Sequence, residues 1–360
     1  MAFTREKAPR RWQTIPDRTR FCPMAPWRCF IFNLWRAAIL LVLPPAVFFF
    51  PVVRAAPPVI EFKLPPAPSP PTAFAPRPVT SWLEAQIALA RIGFSSGPID
   101  GIGGAQSAAA LRAFQRREHL SPTGQLDAAT RDRLVLASSP LVQYSLGPED
   151  FAHLQPVSPT WLGKSRQTAL DYETVLERVA ELAHAHPAFV RRMNPGVDWD
   201  RPMPGTPITV PDVNLVEITG PAVRLRIYLG DHVLEACNAA GETIAHFPVS
   251  IARRVEKRPV GELRVTVAIP NPDYTFDPAL FSESEEARTL DRKLWIPPGP
   301  NNPVGVAWIG LDLPGYGIHG TPTPEHVGRT ESHGCFRLAN WDARTLLGMV
   351  WVGMPVTVEP

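Results

Sequence analysis

Residues 318–340 read I-H-G-T-P-T-P-E-H-V-G-R-T-E-S-H-G-C-F-R-L-A-N. The stretch holds one cysteine, Cys335, with His333 close before it and His319 at the head of the segment. A cysteine nucleophile needs a base or a positive field to form thiolate, access to solvent, and donors for the oxyanion. This stretch offers all three. His319 or His333 is placed to take the thiol proton. Gly334 is expected to let the backbone turn sharply, so that the N–H groups around Cys335 converge on one oxygen. Asn340 is expected to cap a helix over residues 341–350, with Asp342 favourable in its first turn.

Two other readings of the same residues exist. A solitary cysteine is most often a small buried hydrophobe. His319, His326, His333 and Cys335 also lie close enough to suggest zinc, but zinc sites pair their ligands at short spacings such as C-x2-C or H-x3-H. Here the pairs are H-x6-H and H-x-C in a loop containing Pro322 and Pro324. No metal or organic cofactor is therefore expected, and His326 reads as a surface loop residue.

S-H-G-C-F-R-L-A-N, preceded by I-H-G-T, resembles the signature of the L,D-transpeptidases (YkuD domains). That pattern is a His, a gap, then Ser/Thr-His-Gly-Cys and, shortly after, Arg and Asn. His319, Ser332, His333, Gly334, Cys335, Arg337 and Asn340 occupy those places. The resemblance implies a substrate and a set of roles. Cys335, as thiolate, would attack the carbonyl between the third, diamino residue and the terminal D-Ala of a peptidoglycan stem tetrapeptide. His319 would be the general base, its other ring nitrogen bonded to the Gly320 carbonyl. Gly334, His333, Gly320 and Ser332 would form the oxyanion pocket or shape the site. Arg337, Asn340 and Tyr274 would contact substrate, Arg337 through a carboxylate. A structural ion pair for Arg337 and a loop-fixing role for Ser332 and Asn340 stay open. The acyl group would pass to an amine of a second stem, giving a 3–3 cross-link, to a lipoprotein amine, or to water in a carboxypeptidase.

Around this stretch, residues 215–360 read as the catalytic domain. Val223, Leu225, Ile227 and Leu229 alternate with Arg224, Arg226 and Tyr228, and Leu263, Val265, Val267 and Ile269 repeat the alternation of half-buried strands. Ala239-Ala240-Gly241 is expected to join residues 233–237 to 243–251 as a hairpin, with Cys237 in the core. Residues 304–311 and 355–358 are further strands. The whole resembles the β-rich YkuD sandwich. Residues 270–303 show few strand signals and contain P-P-G-P-N-N-P. Segments of this length are often lids. Tyr274 and Trp295 are expected to line the covered cleft, with core packing the alternative for Trp295.

Residues 137–214 contain an amphipathic segment over 172–184, with Val175, Leu176, Val179 and Leu182 on one face. H-P-A-F-V-R-R-M-N-P-G and P-G-T-P-I-T-V-P follow. The order resembles a degenerate LysM module whose first strand is not visible; a spacer is the alternative. Residues 80–136 show three short helices, over Trp82–Ile92, 106–119 and 127–134, around the turn cluster G-P-I-D-G-I-G-G. A-L-A-R-I-G-F-x-x-G-x-I-D-G, followed by A-L-R-A-F-Q, resembles the three-helix peptidoglycan-binding domain. Its candidate ligand residues are 100–104 and Phe94, and a bundle without ligand is the alternative.

Residues 56–79 are a Pro/Ala-rich tract, expected to act as a semi-rigid polyproline spacer. Residues 1–55 begin with a basic stretch, followed by an apolar run interrupted by Pro44-Pro45 and then V-R-A. This is the layout of an export signal, with an uncleaved membrane anchor as the alternative. The run is short for a spanning helix unless Phe30 and its neighbours contribute. Initiation at Met24 would leave a signal of ordinary length. Arg10-Arg11 lies too far from the apolar run for a twin-arginine signal. The protein is expected in the periplasm or cell envelope, touching membrane only through this segment.

The composition agrees. A formal net charge of +2 gives no reason to expect nucleic acid. Proline makes up 43 of 360 residues, against a usual share of about 5 %, and much of that excess sits in the spacer. The cysteines are Cys22, Cys29, Cys237 and Cys335, which imply no disulfide framework. The expected architecture is multidomain: a small three-helix peptidoglycan-binding-like bundle, then a β-rich sandwich that carries the chemistry. A non-catalytic peptidoglycan-binding protein is the rival from another class.

Overall fold

The computed structural model of the chain describes residues 74–213, 218, 220–281, 284–329 and 334–360. The export segment, most of the proline tract, Ser332 and His333 lie outside these.

Three helices open the described chain. β1 (Arg77–Pro78) leads to α1 (Trp82–Arg91), α2 (Ala105–Arg117) and α3 (Ala128–Arg133), and β2 (Val135–Leu136) returns to pair with β1. Ser81 caps α1 and Asp127 caps α3, each side chain accepting a backbone N–H that the helix leaves unpaired. Gly93 ends α1 at φ +81°, the left-handed conformation that glycine adopts without steric cost. Leu89, Leu111 and Phe114 fill the bundle core. Phe94, a candidate ligand residue by sequence, belongs to that core: it is 0 % exposed and unavailable to a ligand. α2 ends two residues short of His119, which turns the chain at φ +56°.

In the middle segment two strands enclose three helices. β3 (Leu141–Ser145) pairs antiparallel along its full length with β4 (Pro207–Pro211). Between them lie α4 (Trp161–Lys164), α5 (Val175–Leu182) and α6 (Pro187–Met193). α5 starts later than the amphipathic pattern does, because Thr174 caps it and Tyr172 turns inward to bond Glu181. Leu182, expected on the buried face, is 44 % exposed.

The remainder is one curled sheet. β5 (Arg224–Tyr228), β6 (Val233–Cys237), β7 (Thr243–Pro248), β8 (Gly261–Pro270), β9 (Tyr274–Phe276), α7 (Glu285–Thr289), β10 (Leu294–Ile296), β11 (Ala307–Leu311), β12 (Gly317–His319), β13 (Phe336–Arg337), α8 (Asn340–Leu347) and β14 (Pro355–Glu359) follow in order. Eight of these strands form a sheet in the order β13-β12-β11-β8-β14-β5-β6-β7. β8 links its two halves. Gly261–Arg264 pair with β14, and Val265–Pro270 pair with β11. The ends of the order meet where Ser250 and Arg337 exchange both backbone hydrogen bonds, at 2.9 and 3.0 Å. The expected two layers are thus joined into a half-barrel around one core that includes Leu225, Ile227, Phe247, Ile309, Ile318 and Phe336. Cys237 is buried in β6. Val267 and Ile269 are 37 % and 39 % exposed, because the covered face of β8 changes at its midpoint.

α2 packs over the outer side of β7. Ser95 N donates to His246 O (2.8 Å) and His246 N donates to Gly93 O (2.9 Å), so the loop after α1 pairs with the free edge of β7. Asp342, in the first turn of α8, accepts from Ser95 Oγ at 2.9 Å. Burial pushes its carboxyl up to about 8, opposed by the Ser95 hydrogen bond, so near neutral pH it brings little charge to the helix start. The expected dipole role of Asp342 is corrected accordingly. Asn340 is not the cap either. Ala339 takes that place without a side-chain bond, and Asn340 is the first helical residue.

A pH dependence follows from Asp342. Its folded value lies above the unfolded value of about 3.9, so between pH 4 and pH 8 the folded state holds a proton that the unfolded state has released. Its contribution to stability is complete below pH 4 and is lost as pH rises through 8. Asp342→Asn is expected to exceed the parent in stability at pH 8, on the order of 2–4 kcal/mol, with the gap narrowing towards pH 4. Urea unfolding at the two pH values checks this. A gap independent of pH means that the carboxyl is already ionised in the fold.

Candidate active site

The site is built on the parallel pair β12 and β13. Ile318 faces Phe336 and His319 faces Arg337. Ile318 and Phe336 are buried in the core. Alternation therefore puts Gly317, His319, Cys335 and Arg337 on the opposite face. Strand spacing and rise set the Cα atoms of Cys335 and His319 roughly 8 Å apart across the pair, close enough for their side chains to converge. Gly317, opposite Cys335, has no room for a side chain: a Cβ there would lie 2.6 Å from Trp308 Cζ2 and Cη2. Trp308 on β11 pairs with His319 and stacks on its ring, centroids 5.7 Å apart.

His319 is buried, and its Nδ1 lies 2.7 Å from Gly320 O. A carbonyl only accepts, so Nδ1 carries the proton and Nε2 keeps its lone pair. Burial lowers the imidazole to about 4, with the Gly320 bond opposing and Arg337 adding to the effect, so the ring is neutral at neutral pH. Cys335 is half-buried, with Sγ 3.5 Å from Gly315 O. Burial pushes the thiol up, while a backbone hydrogen bond from Gly317 and the Arg337 charge pull it back. The resting pair is thiol and neutral imidazole. Burial also lowers the Arg337 guanidinium, and interaction with Cys335 opposes that shift.

β9 and β10 form a hairpin with its own core of Phe276, Ala287, Leu294, Ile296 and Leu170. Tyr274 is close enough to Cys335 for the two to interact electrostatically. Burial first, then Cys335 and Asp277, raise its phenol to about 12. Trp295 pairs with Thr275, so the pleat turns it away from Tyr274. It is 53 % exposed and donates to Asp273, so it is neither core nor on the Tyr274 side of the hairpin.

A residue missed by sequence holds this hairpin. Trp161 stacks on Phe276 at 4.1 Å, and the Glu286 carboxylate accepts from the N–H groups of Trp161 and Leu162, both at 2.9 Å. No periodic pattern marks Trp161, because α4 is four residues long. The proline-rich turn is anchored as well. Gly299 presses on Leu170, where a Cβ would lie 2.1 Å from its carbonyl oxygen, and Asn301 bonds Asp171 O and Glu177.

Asn340, expected at the substrate, is 0 % exposed. Its amide donates to Glu181 Oε2 (2.9 Å) and Pro300 O (3.1 Å) and accepts from Val306 N (3.3 Å). Nothing of the side chain remains for a ligand. Gly320 packs on it, and a Cβ there would lie 2.3 Å from Asn340 Oδ1. At Gly334, among the described residues, a Cβ would meet only Tyr316 Cε1, at 3.9 Å. Ser332 and His333 lie outside the described residues, and His326 is exposed.

The L,D-transpeptidase catalytic (YkuD) domain model matches residues 223–358, and the "Putative peptidoglycan binding domain" model matches residues 80–134. A Bacillus subtilis protein named "Putative L,D-transpeptidase YqjB" is 35 % identical over 118 residues, covering 31 % of this chain and 57 % of that one. A Fuscovulum blasticum protein named "Putative L,D-transpeptidase in ATP synthase subunits region ORF 5" is 34 % identical over 121 residues, covering 34 % of this chain and 61 % of its own. The chain thus spans less than two thirds of either relative. Among solved structures, "L,D-transpeptidase from Mycobacterium smegmatis" aligns with 43 % of this chain and 64 % of that chain, at 20 % identity and a TM-score of 0.31.

The neutral resting pair has a chemical signature. Iodoacetamide is expected to alkylate Cys335 at pH 7 more slowly than it does a free cysteine, whose thiol sits near 8.5, and the rate should climb well into the alkaline range. Alkylation at pH 7 as fast as glutathione, read by mass spectrometry of the Cys335 peptide, would mean a preformed thiolate.

Proposed function

We propose, proceeding from the L,D-transpeptidase catalytic domain that residues 223–358 match, that this protein transfers acyl groups of peptidoglycan stem peptides through a thioester on Cys335. The observation that carries this reading is the His319 tautomer. Gly320 O holds the proton on Nδ1, leaving Nε2 as a base on the strand-pair face that also bears Cys335.

The steps follow from the two neutral groups. As Sγ attacks the carbonyl before the terminal D-Ala, the thiol proton passes to His319 Nε2. The Arg337 charge favours the sulfur anion at that moment. Backbone N–H groups at Gly334 and Cys335 take the oxyanion. The imidazolium returns its proton to the departing D-Ala amine, and a thioester remains. An acceptor amine, from a second stem or a lipoprotein, loses a proton to His319, attacks the thioester and frees the thiol. Water in its place gives a shortened stem. The Tyr274 phenol stays protonated near the cysteine and can donate a hydrogen bond to bound substrate. Arg337 remains the candidate for a substrate carboxylate. Asn340 is assigned to holding the site.

Residues 80–134 match the peptidoglycan-binding model and are assigned to hold the enzyme on its polymer. The antiparallel pairing of β3 with β4 around α5 and α6, with the four-residue α4 added before them, supports a LysM-like reading with glycan contact. Acting on the wall places the protein outside the cytoplasm, with residues 1–55 as the export signal or anchor. No helix among the described residues is long and apolar enough to cross a membrane.

The test uses disaccharide-tetrapeptide muropeptides and mass spectrometry. A dimer lighter by one D-Ala than two monomers is expected, and Cys335→Ala should abolish it while leaving the protein folded. Tripeptide monomer alone identifies a carboxypeptidase or a missing acceptor. Turnover retained in Cys335→Ala sinks the mechanism. His319→Ala should lower the rate by roughly 10²–10⁴, the usual worth of a positioned general base.

A further inference from the structure

A polar cavity of about 490 Å³ lies outside the catalytic face, between α2 and the outer side of β5, β6 and β7. Its volume is that of a small-ligand site. Arg112 and Arg116 sit one helical turn apart on α2 and line one side, and Arg226 on β5 lines the other. Asp231 and Glu242 add carboxylates to the lining.

The same cavity is lined by two buried groups. Glu235 is nearly inaccessible, accepting from Arg116 (2.8 Å) and from Thr243 Oγ1 (2.8 Å). His246 is 1 % exposed; its Nδ1 faces Glu235 Oε1 at 3.6 Å, and among the described residues its Nε2 has no hydrogen-bond partner. Buried polar atoms are nearly always satisfied, so an unmet imidazole nitrogen at a polar cavity points to a partner that enters it.

The cavity continues into a second, of about 280 Å³, which shares Ala109, Arg112, Asp231 and His246 with the first and reaches Gly328. There Gln106 Nε2 donates to Val327 O at 2.6 Å. The groove therefore runs along α2 from the sheet face to Gly328.

We propose that this groove binds a second peptidoglycan stem peptide, separate from the stem acylated at Cys335. Guanidinium groups on two walls match a peptide with several carboxylates, and the neighbouring carboxylates match its free ammonium. A stem peptide carries both. The assignment rests on the peptidoglycan reading above and adds a place for the unreacted neighbour. A stem held there tethers the wall beside the reacting one, which raises the local concentration of both.

The test titrates the Cys335→Ala protein with disaccharide-tetrapeptide and follows backbone amides by NMR. Val233 and Thr243 in the groove, and Gly317 and Tyr274 at the cleft, are expected to shift with two different affinities. Arg112→Glu should weaken the groove response at least tenfold and leave the cleft response in place. Arg226→Gln serves the same purpose if Arg112→Glu does not fold. Groove amides that stay still in the parent, or that shift equally in both variants, overturn the proposal. Cleft shifts without groove shifts remove the groove alone. Silence at both places, together with no product from the Cys335-intact enzyme, removes the peptidoglycan reading as well.

Discussion

A fully buried side-chain amide must find partners, since each unmet group costs roughly 1–3 kcal/mol. Asn340 finds them on three separate segments: α5 through Glu181, the proline-rich turn through Pro300, and the approach to β11 through Val306. The consequence is compositional. Gly305 and Gly320 lie so close that a Cβ on either would stand 2.1 or 2.3 Å from Asn340 Oδ1. Gly320 also supplies the carbonyl that sets the His319 tautomer. His319 is thus oriented by a loop pressed against Asn340, five residues past the cysteine. The middle unit is more than a spacer in this respect, because its Glu181 completes the hub beneath the site. Burial raises that carboxyl, and the Asn340 and Tyr172 hydrogen bonds oppose the shift.

The electrostatics of the site follow from the same burial. Taking Cys335 and His319 out of water penalises thiolate and imidazolium alike. Arg337 acts on both in one direction, towards thiolate and away from imidazolium. A standing ion pair is therefore disfavoured, and charge is best formed as substrate arrives. Arg337 is held where it can act because its backbone closes the half-barrel against Ser250. Closure of the sheet and placement of the positive charge are one structural event.

The parts legible in sequence were those written in local patterns. Leu225 and Ile227 alternate with Arg224 and Arg226 and are buried as the pattern requires. Gly241, at φ +82°, turns the β6–β7 hairpin where the turn residues stand. The His319–Gly320 hydrogen bond could be anticipated because its partners adjoin. The illegible parts depend on distant partners. Asn340 is a good cap by preference, yet Glu181, more than 150 positions earlier, draws it inward. Asp342 favours a helix start as an anion, but burial beneath the distant Ser95 loop favours its protonated form, against the pull of the Ser95 hydrogen bond. Val267 and Ile269 keep the period of a covered strand, and period alone does not say which half of β8 is covered. β3 lacks alternation because its two faces are similarly half-exposed.

The helical module also has a role that its own sequence does not state. β7 ends the strand order, and an uncovered edge is a template for unwanted pairing. Gly93 and Ser95 occupy that edge with two backbone bonds, Phe94 stacks on His246, and Arg116 reaches Glu235 in β6. Phe94 is therefore invested in the junction, which is why it is closed to ligands. A module attached in this way cannot swing on a tether without exposing the β7 edge and leaving Glu235 without its arginine. The helical module and Cys335 are then fixed in one frame. Under the proposed function, a polymer held by the module would offer Cys335 only the stems that this fixed geometry brings within reach.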